Sequence, residues 1–210
     1  TNLSGLKTEE DRFAMEGMGV EYISPSDYET RYFRLDKEEF AEIPAIDHVS
    51  YSRGQKIKAT AQAKVLAEIV PPYFNRTSRT FCSHRQTPPT GRLSGYPAIV
   101  RTESSIYIAC PFFTDYAYYG YRVYKEVLRH CIDLLVKRPL VKAKLSSITE
   151  LTVRENNEGM IVHTLNYVIQ RKSKMLDIIE EKFELRDQTI AVKTAFAPNA
   201  VKMVPEDISL

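Results

Sequence analysis

Hydrophobic and polar positions alternate most clearly over "KIKATAQAKVLAEIV". Ile57, Ala59, Ala61 and Ala63 share one parity, and Val65, Ala67 and Ile69 continue it. A period of two predicts strands, with a break near Gln62. Alanine and lysine make a helix the competing reading. Upstream, "VEYIS" and "TRYFRL" predict short strands, and "AEIPAI" reads as a loop. Thr8 followed by Asp11 predicts a helix start, running to Glu16 and ended by Gly17 and Gly19. "AIVRTESSIYIAC" predicts a hairpin that turns around Glu103 to Ser105.

The periodicity then changes to that of a helix. Between Thr114, a candidate cap, and Pro139, a stop, one stripe holds Tyr116, Gly120, Val123, Tyr124, Val127, Cys131, Leu134 and Leu135. Arg122, Lys125, Glu126, Arg129 and Asp133 occupy the opposite face. One long helix lying on a sheet is expected, with Gly120 allowing close approach. Beyond Pro139, "ITELTV", "GMIVHTLNYVI", "MLDIIEEKFEL", "TIAVK" and "AVKMV" are strand-like and separated by turn signals. Short strands at this spacing predict a small antiparallel β-sandwich. The reading is therefore α/β plus all-β, with residues 1–145 as the first domain and 146–210 as the second.

Composition narrows the function class. Twenty-nine Lys and Arg against 27 Asp and Glu leave a net charge of +2. That is no strong field toward nucleic acid or an anionic membrane, and neither partner is expected. No apolar stretch reaches the length of a membrane span, and the polar start "TNLSGLKTEEDRF" does not read as a signal peptide. A soluble protein, cytoplasmic or periplasmic, is expected. Three cysteines (Cys82, Cys110, Cys131) and four scattered histidines form neither a disulfide framework nor a metal-ligand pattern. No metal or cofactor is expected.

The candidate chemistry lies in the irregular segment between Val70 and Pro97. Five prolines and two glycines fall within its 28 residues, too many for regular structure. Loops of this length in a domain are commonly functional. Asn75, Arg76, Phe81, Cys82, Ser83, His84 and Arg85 are its candidate cleft or interface residues. Cys82 and His84 stand two apart, so an extended chain points both side chains the same way. A nucleophilic pair needs the thiol bonded to the ring and a third group to orient the ring. Here prolines follow, not a helix start with oxyanion donors, and the G-x-S-x-G elbow is absent. The loop-structure reading outweighs the catalytic one.

Paired carboxylates for glycoside cleavage are equally hard to place. "TEED" opens the expected first helix, "DKEEF" reads as a solvated surface, and Glu180 and Glu181 are neighbours on opposite faces of an expected strand. His163 shares parity with Ile161, Leu165, Tyr167 and Ile169 and reads as a core histidine. Tyr116, Tyr118, Tyr119, Tyr121 and Tyr124 read mainly as packing residues, with one or two left to line an interface.

As a set, "PPYFNRTSRTFCSHRQTPP", "YPAIVRTESSIYIACPFFTDYAYYG", "MIVHTLNYVIQRKSKMLDIIEEKFEL" and "AVKMVPE" resemble a known arrangement. They are similar to the C-terminal part of multidomain β-galactosidase-like enzymes related to glycoside hydrolase family forty-two. Val162 to Tyr167, "VHTLNY", matches a strand common in that family, "VHLLNY". The resemblance implies an N-terminal (β/α)8 barrel bearing the carboxylates, absent here. It implies that residues 1–145 are the remainder of a flavodoxin-like, class I amidotransferase-like trimerisation domain, followed by the sandwich. No catalytic residue carries over. The chain is then a non-catalytic ancillary or oligomerisation region of a carbohydrate-active hydrolase. Its partners would be its own barrel, further copies of itself, and carbohydrate through the parent enzyme. An independent carbohydrate-binding or protein-interaction module, and a Cys/His amidotransferase-like enzyme, are the alternatives.

Overall fold

The computed structural model describes residues 6–7, 12–157, 159–171, 174–181, 185–195, 197–204 and 208–209. The chain divides into two units, Thr1–Lys137 and Arg138–Leu210.

In the first unit the elements run β1 (Leu6–Lys7), β2 (Arg12–Phe13), β3 (Val20–Pro25), β4 (Arg31–Leu35), β5 (His48–Ser50), β6 (Gln55–Ala59), β7 (Lys64–Val70), β8 (Pro97–Arg101), β9 (Ile106–Ile108), α1 (Phe112–Tyr119) and α2 (Arg122–Leu135). β6 and β7 fall where the alternation predicts them, with the break at Ala61 and Gln62. The β8–β9 hairpin is also as expected. The expected helix start at Thr8 to Asp11 lies outside the described residues. Arg12–Phe13 pairs with Leu6–Lys7 as a strand, and Ala14 to Glu16 form bends instead of a helix.

Five strands form one sheet in the order β5-β4-β7-β8-β9, and every pairing in it is antiparallel. This corrects the flavodoxin-like expectation. A flavodoxin-like sheet is parallel and needs a crossover helix between neighbouring strands. Here β7, β8 and β9 follow one another as antiparallel neighbours, and both helices come after the last of them.

Each face of the sheet carries its own apolar cluster. Phe33, Leu66, Ile99, Phe112, Tyr124, Val127 and Cys131 pack together, which brings the helices onto one face. Phe13, Ile57, Val100, Tyr107 and Ala109 form the other, beneath the β3–β6 ribbon. Ile99 and its neighbour Val100 belong to opposite clusters, as alternation along a strand requires. Two buried polar side chains inside this frame, His48 and Arg31, are held by hydrogen bonds. The His48 ring donates from Nε2 to the Pro44 carbonyl at 2.8 Å and accepts from the Tyr121 hydroxyl at 3.1 Å. Burial pushes the His48 pKa down, which keeps the ring neutral. Arg31, only 1% exposed, donates to the carbonyls of Gln55 and Ala109. A side chain at Gly54 would overlap the Arg31 guanidinium and the Ala109 oxygen, so only glycine fits there.

The single long helix is also corrected. Gly120 adopts φ 59°, in the left-handed region, and its N–H bonds back to the Tyr116 carbonyl. It is the C-cap of α1, a conformation glycine takes without the Cβ penalty. Open space surrounds its Cα, so it provides no close approach to a sheet. α2 then starts anew, and its buried stripe is Tyr124, Val127 and Cys131.

The second unit holds β10 (Val141–Lys144), β11 (Thr149–Asn156), β12 (Gly159–Asn166), β13 (Gln170–Arg171), β14 (Asp177–Ile178), β15 (Thr189–Val192), β16 (Lys202–Met203) and β17 (Ile208–Ser209). They pair as antiparallel two-stranded ribbons: β11–β12, β13–β14, β16–β17, and β10 with the distant β15. The antiparallel strand content matches the expectation for this region. None of its described residues is buried, so a closed sandwich core is not formed among them. His163 accordingly faces solvent beside exposed Ile161 and Leu165, which corrects its reading as a core residue. Glu180 and Glu181 lie beyond β14 and outside any strand.

Candidate functional site

The proline-rich segment between β7 and β8 is a loop closed at a narrow neck. Pro72 bridges Pro89, the Tyr73 N–H donates to the Pro88 carbonyl at 3.2 Å, and Thr90 donates from both N–H and hydroxyl to the Pro71 carbonyl. Joined ends with an internally bonded body define a compact Ω-type loop. Within it, Thr77 and Thr80 lock a turn: the Thr77 N–H reaches the Thr80 carbonyl at 2.7 Å and the two hydroxyls are 2.8 Å apart. Buried Tyr32 donates its hydroxyl to the Thr87 carbonyl at 2.8 Å, which seats the returning limb on β4.

The candidate residues divide into those that hold the loop and those it displays. Asn75 is an anchor. Its Nδ2 donates to the Asp27 carbonyl at 2.7 Å, and its Oδ1 accepts from the Glu29 N–H at 3.2 Å. Arg76 spans the loop, donating from Nη1 to the carbonyl of His84 at 3.1 Å. The Cys82 thiol lies 3.4 Å from the His84 carbonyl and 3.5 Å from that of Gln86. It is therefore spent on backbone and not on the His84 ring. No Cys–His nucleophile is assembled. Phe81 (68% exposed), Ser83 and the His84 ring face solvent.

Arg85 is the residue the structure sets apart. Its guanidinium sits over the rings of Tyr119 and Tyr51, 4.7 Å and 5.4 Å from their centroids, and its Nη2 donates to the Tyr119 hydroxyl at 2.6 Å. The two rings are themselves in contact, with centroids 4.3 Å apart. A cation within about 6 Å of an aromatic face is attracted by the ring quadrupole. Tyr119 comes from the end of α1, Tyr51 from the residue after β5, and Arg85 from the loop, so three segments converge at this point.

What fixes Tyr51 is a carboxylate that sequence reasoning missed. Asp115 in α1 is 0% exposed. Its Oδ2 accepts from the Tyr51 N–H at 2.9 Å, the Ser50 hydroxyl at 3.1 Å and, at longer range, the Ser52 N–H at 3.5 Å. The Tyr124 hydroxyl donates to the Val49 carbonyl at 2.6 Å and stands 3.3 Å from the same carboxylate. Burial, and then the Asp115 charge, push the Tyr124 pKa far up, so it remains a donor. The carboxylate thus binds backbone from inside the core and has no route to a substrate.

The loop can present one stacked arginine, an imidazole and exposed rings. It does not present two carboxylates across a cleft, which glycoside cleavage needs. Among the described residues no group of three or more His, Cys, Asp or Glu is arranged to hold a metal ion. No described helix is long and apolar enough to cross a membrane. An open cavity of about 760 Å³ lies elsewhere, lined by Phe13, Met15, Tyr22, Gln62 and Glu103 among others. None of the loop candidates lines it.

The likeness to a solved structure relates this β-rich chain to glycoside hydrolases. The solved structure of α-L-fucosidase isoenzyme 2 from Paenibacillus thiaminolyticus is similar with a TM-score of 0.89 at 25% sequence identity. The match covers 98% of this chain and 31% of that one, so the chain spans just under a third of that protein's length. No known family profile matches the sequence, and no curated protein matches it. The likeness extends to a glycoside hydrolase and not to family forty-two in particular.

Proposed function

We propose that the chain is a non-catalytic ancillary region of a glycoside hydrolase whose catalytic carboxylates lie outside these residues. The observation that carries this reading is the likeness of nearly the whole chain to under a third of an α-L-fucosidase. The absence of a carboxylate pair at the displayed loop supports it. In this reading the loop around His84 and Arg85 shapes a sugar site completed by the barrel or by another copy. The neighbour favours an α-L-fucoside as the parent enzyme's substrate, and the family-forty-two resemblance favours a β-galactoside. In a complete enzyme carrying this region, His84→Ala or Arg85→Ala should raise KM with kcat largely kept, measured on aryl α-L-fucoside and aryl β-galactoside. Unchanged KM in both variants on every hydrolysed substrate would reduce the loop to structure.

Self-association is the second part of the proposal. The second unit exposes large apolar side chains, including Met175 at 88% and Val204 at 72%. Exposed apolar surface favours pairing with another chain. Sedimentation of the purified chain should give dimers or larger species, and a monomer at high concentration would count against assembly.

A further inference from the structure

The Arg85 guanidinium is built as an oxyanion receptor, and we infer that it binds the carboxylate of an acidic sugar, a hexuronic acid. Three independent observations converge on this. The first is preorganisation. Stacking over Tyr51 and Tyr119 and the 2.6 Å bond to the Tyr119 hydroxyl fix the group in place before any ligand arrives. An arginine already held loses less freedom per bond when its planar fork meets a carboxylate.

The second is spare capacity. A guanidinium has five N–H donors. Among the described residues only the Tyr119 hydroxyl accepts from that of Arg85, and no acid pairs with it. The third is the electrostatic setting. From Val70 to Thr102 the sequence carries five arginines and His84 and not one Asp or Glu. Arg76, Arg79 and Arg85 form no ion pair among the described residues. A loop whose own charged residues are all basic attracts an anion over about a Debye length. The tyrosines make the ligand a sugar. Tyr118 is 79% exposed and its ring, tilted by 46°, lies 6.3 Å from that of Tyr119, so a second, exposed ring stands near the arginine for a pyranose to lie on.

The inference rests on the reading of the loop as ligand-facing and assigns Arg85 an acidic sugar, a ligand separate from the neutral fucoside or galactoside whose bond the parent enzyme would cleave. Its test uses the 210-residue chain alone. Failure here therefore leaves the kinetic test of the intact enzyme standing, and the reverse also holds. Glucuronate, acetate and glucose are titrated separately, with binding read from the Arg85 side-chain N–H resonances and by calorimetry. Glucuronate should bind roughly tenfold or more tightly than glucose and more tightly than acetate, with affinity falling as salt rises. Arg85→Lys keeps the charge but loses the planar fork, and should weaken glucuronate by about tenfold. Tyr119→Phe keeps the ring but removes the pin, and should weaken it less. Circular dichroism melts establish that both variants fold, and the wild-type titration stands even if one does not. Acetate binding as well as glucuronate would overturn the sugar assignment. Glucuronate binding no better than glucose, or equally well to Arg85→Lys, would overturn the site.

Discussion

Asp115 matters most among single residues because it joins the core to the displayed loop. It orients Tyr51, Tyr51 packs on Tyr119, and Arg85 rests on both. Its sequence context, "FFTDYAYY", offers only an acid in the first turn of a helix, a favourable but common placement. Ser50, Tyr51 and Ser52, which it clamps, lie 63 to 65 positions earlier in the chain, so no local pattern reveals the clamp. Arg31 escaped notice for a related reason. Its strand alternates weakly, and the carbonyls that satisfy it belong to Gln55 and Ala109. Asp115→Ala should leave the partly buried Tyr51 N–H and the buried Ser50 hydroxyl without their acceptor. A cost of about 2–4 kcal/mol in denaturant melts is expected, more than for a neutral hydrogen bond because the acceptor is a carboxylate. Arg85→Ala, an exposed change at the far end of the same chain of contacts, should cost under about 1 kcal/mol. Equal losses would mean that Asp115 does not organise the core side of the site.

Among the elements, β3, β4 and β6 to β9 were legible as strand-like runs, β3 most simply because its burial alternates with a period of two, whereas β2 fell inside the expected helix and β5 was not read as a strand. The helix boundary was not legible. The three-and-four spacing runs through Gly120, yet its left-handed φ of 59° ends α1 and separates the two axes. The stripe read as continuous therefore fails at its start, where Tyr116 is partly exposed, and holds from Tyr124 to Cys131. The sheet's antiparallel order was obscured for another reason: a helix following strands fits both a parallel and an antiparallel sheet until registers are known. Val127 is fully buried in the cluster with Phe33, Leu66 and Phe112. Val127→Ala should cost about 2–3 kcal/mol in equilibrium unfolding. Arg122→Ala breaks only an exposed i,i+4 pair with Glu126 and should cost under about 0.5 kcal/mol. Comparable losses on the two faces would contradict the packing of α2.

For the whole molecule, the loop chosen from sequence is the loop the structure closes and displays, while the roles within it differ. Cys82, the most reactive-looking residue, donates to backbone, and Asn75 and Arg76 hold the loop together. Arg85 alone gains a built environment, from residues that sequence spacing could not bring near it. The glycoside-hydrolase relationship rests on the likeness over nearly the whole chain, and the non-catalytic role is our proposal, argued from the groups the displayed loop lacks. Hydrolysis by the purified chain tests that role most directly. Incubated with a panel of aryl glycosides that includes an α-L-fucoside and a β-galactoside, the chain should release no aryl alcohol above the uncatalysed rate. Turnover by the chain that disappears in Cys82→Ala or His84→Ala would contradict the account.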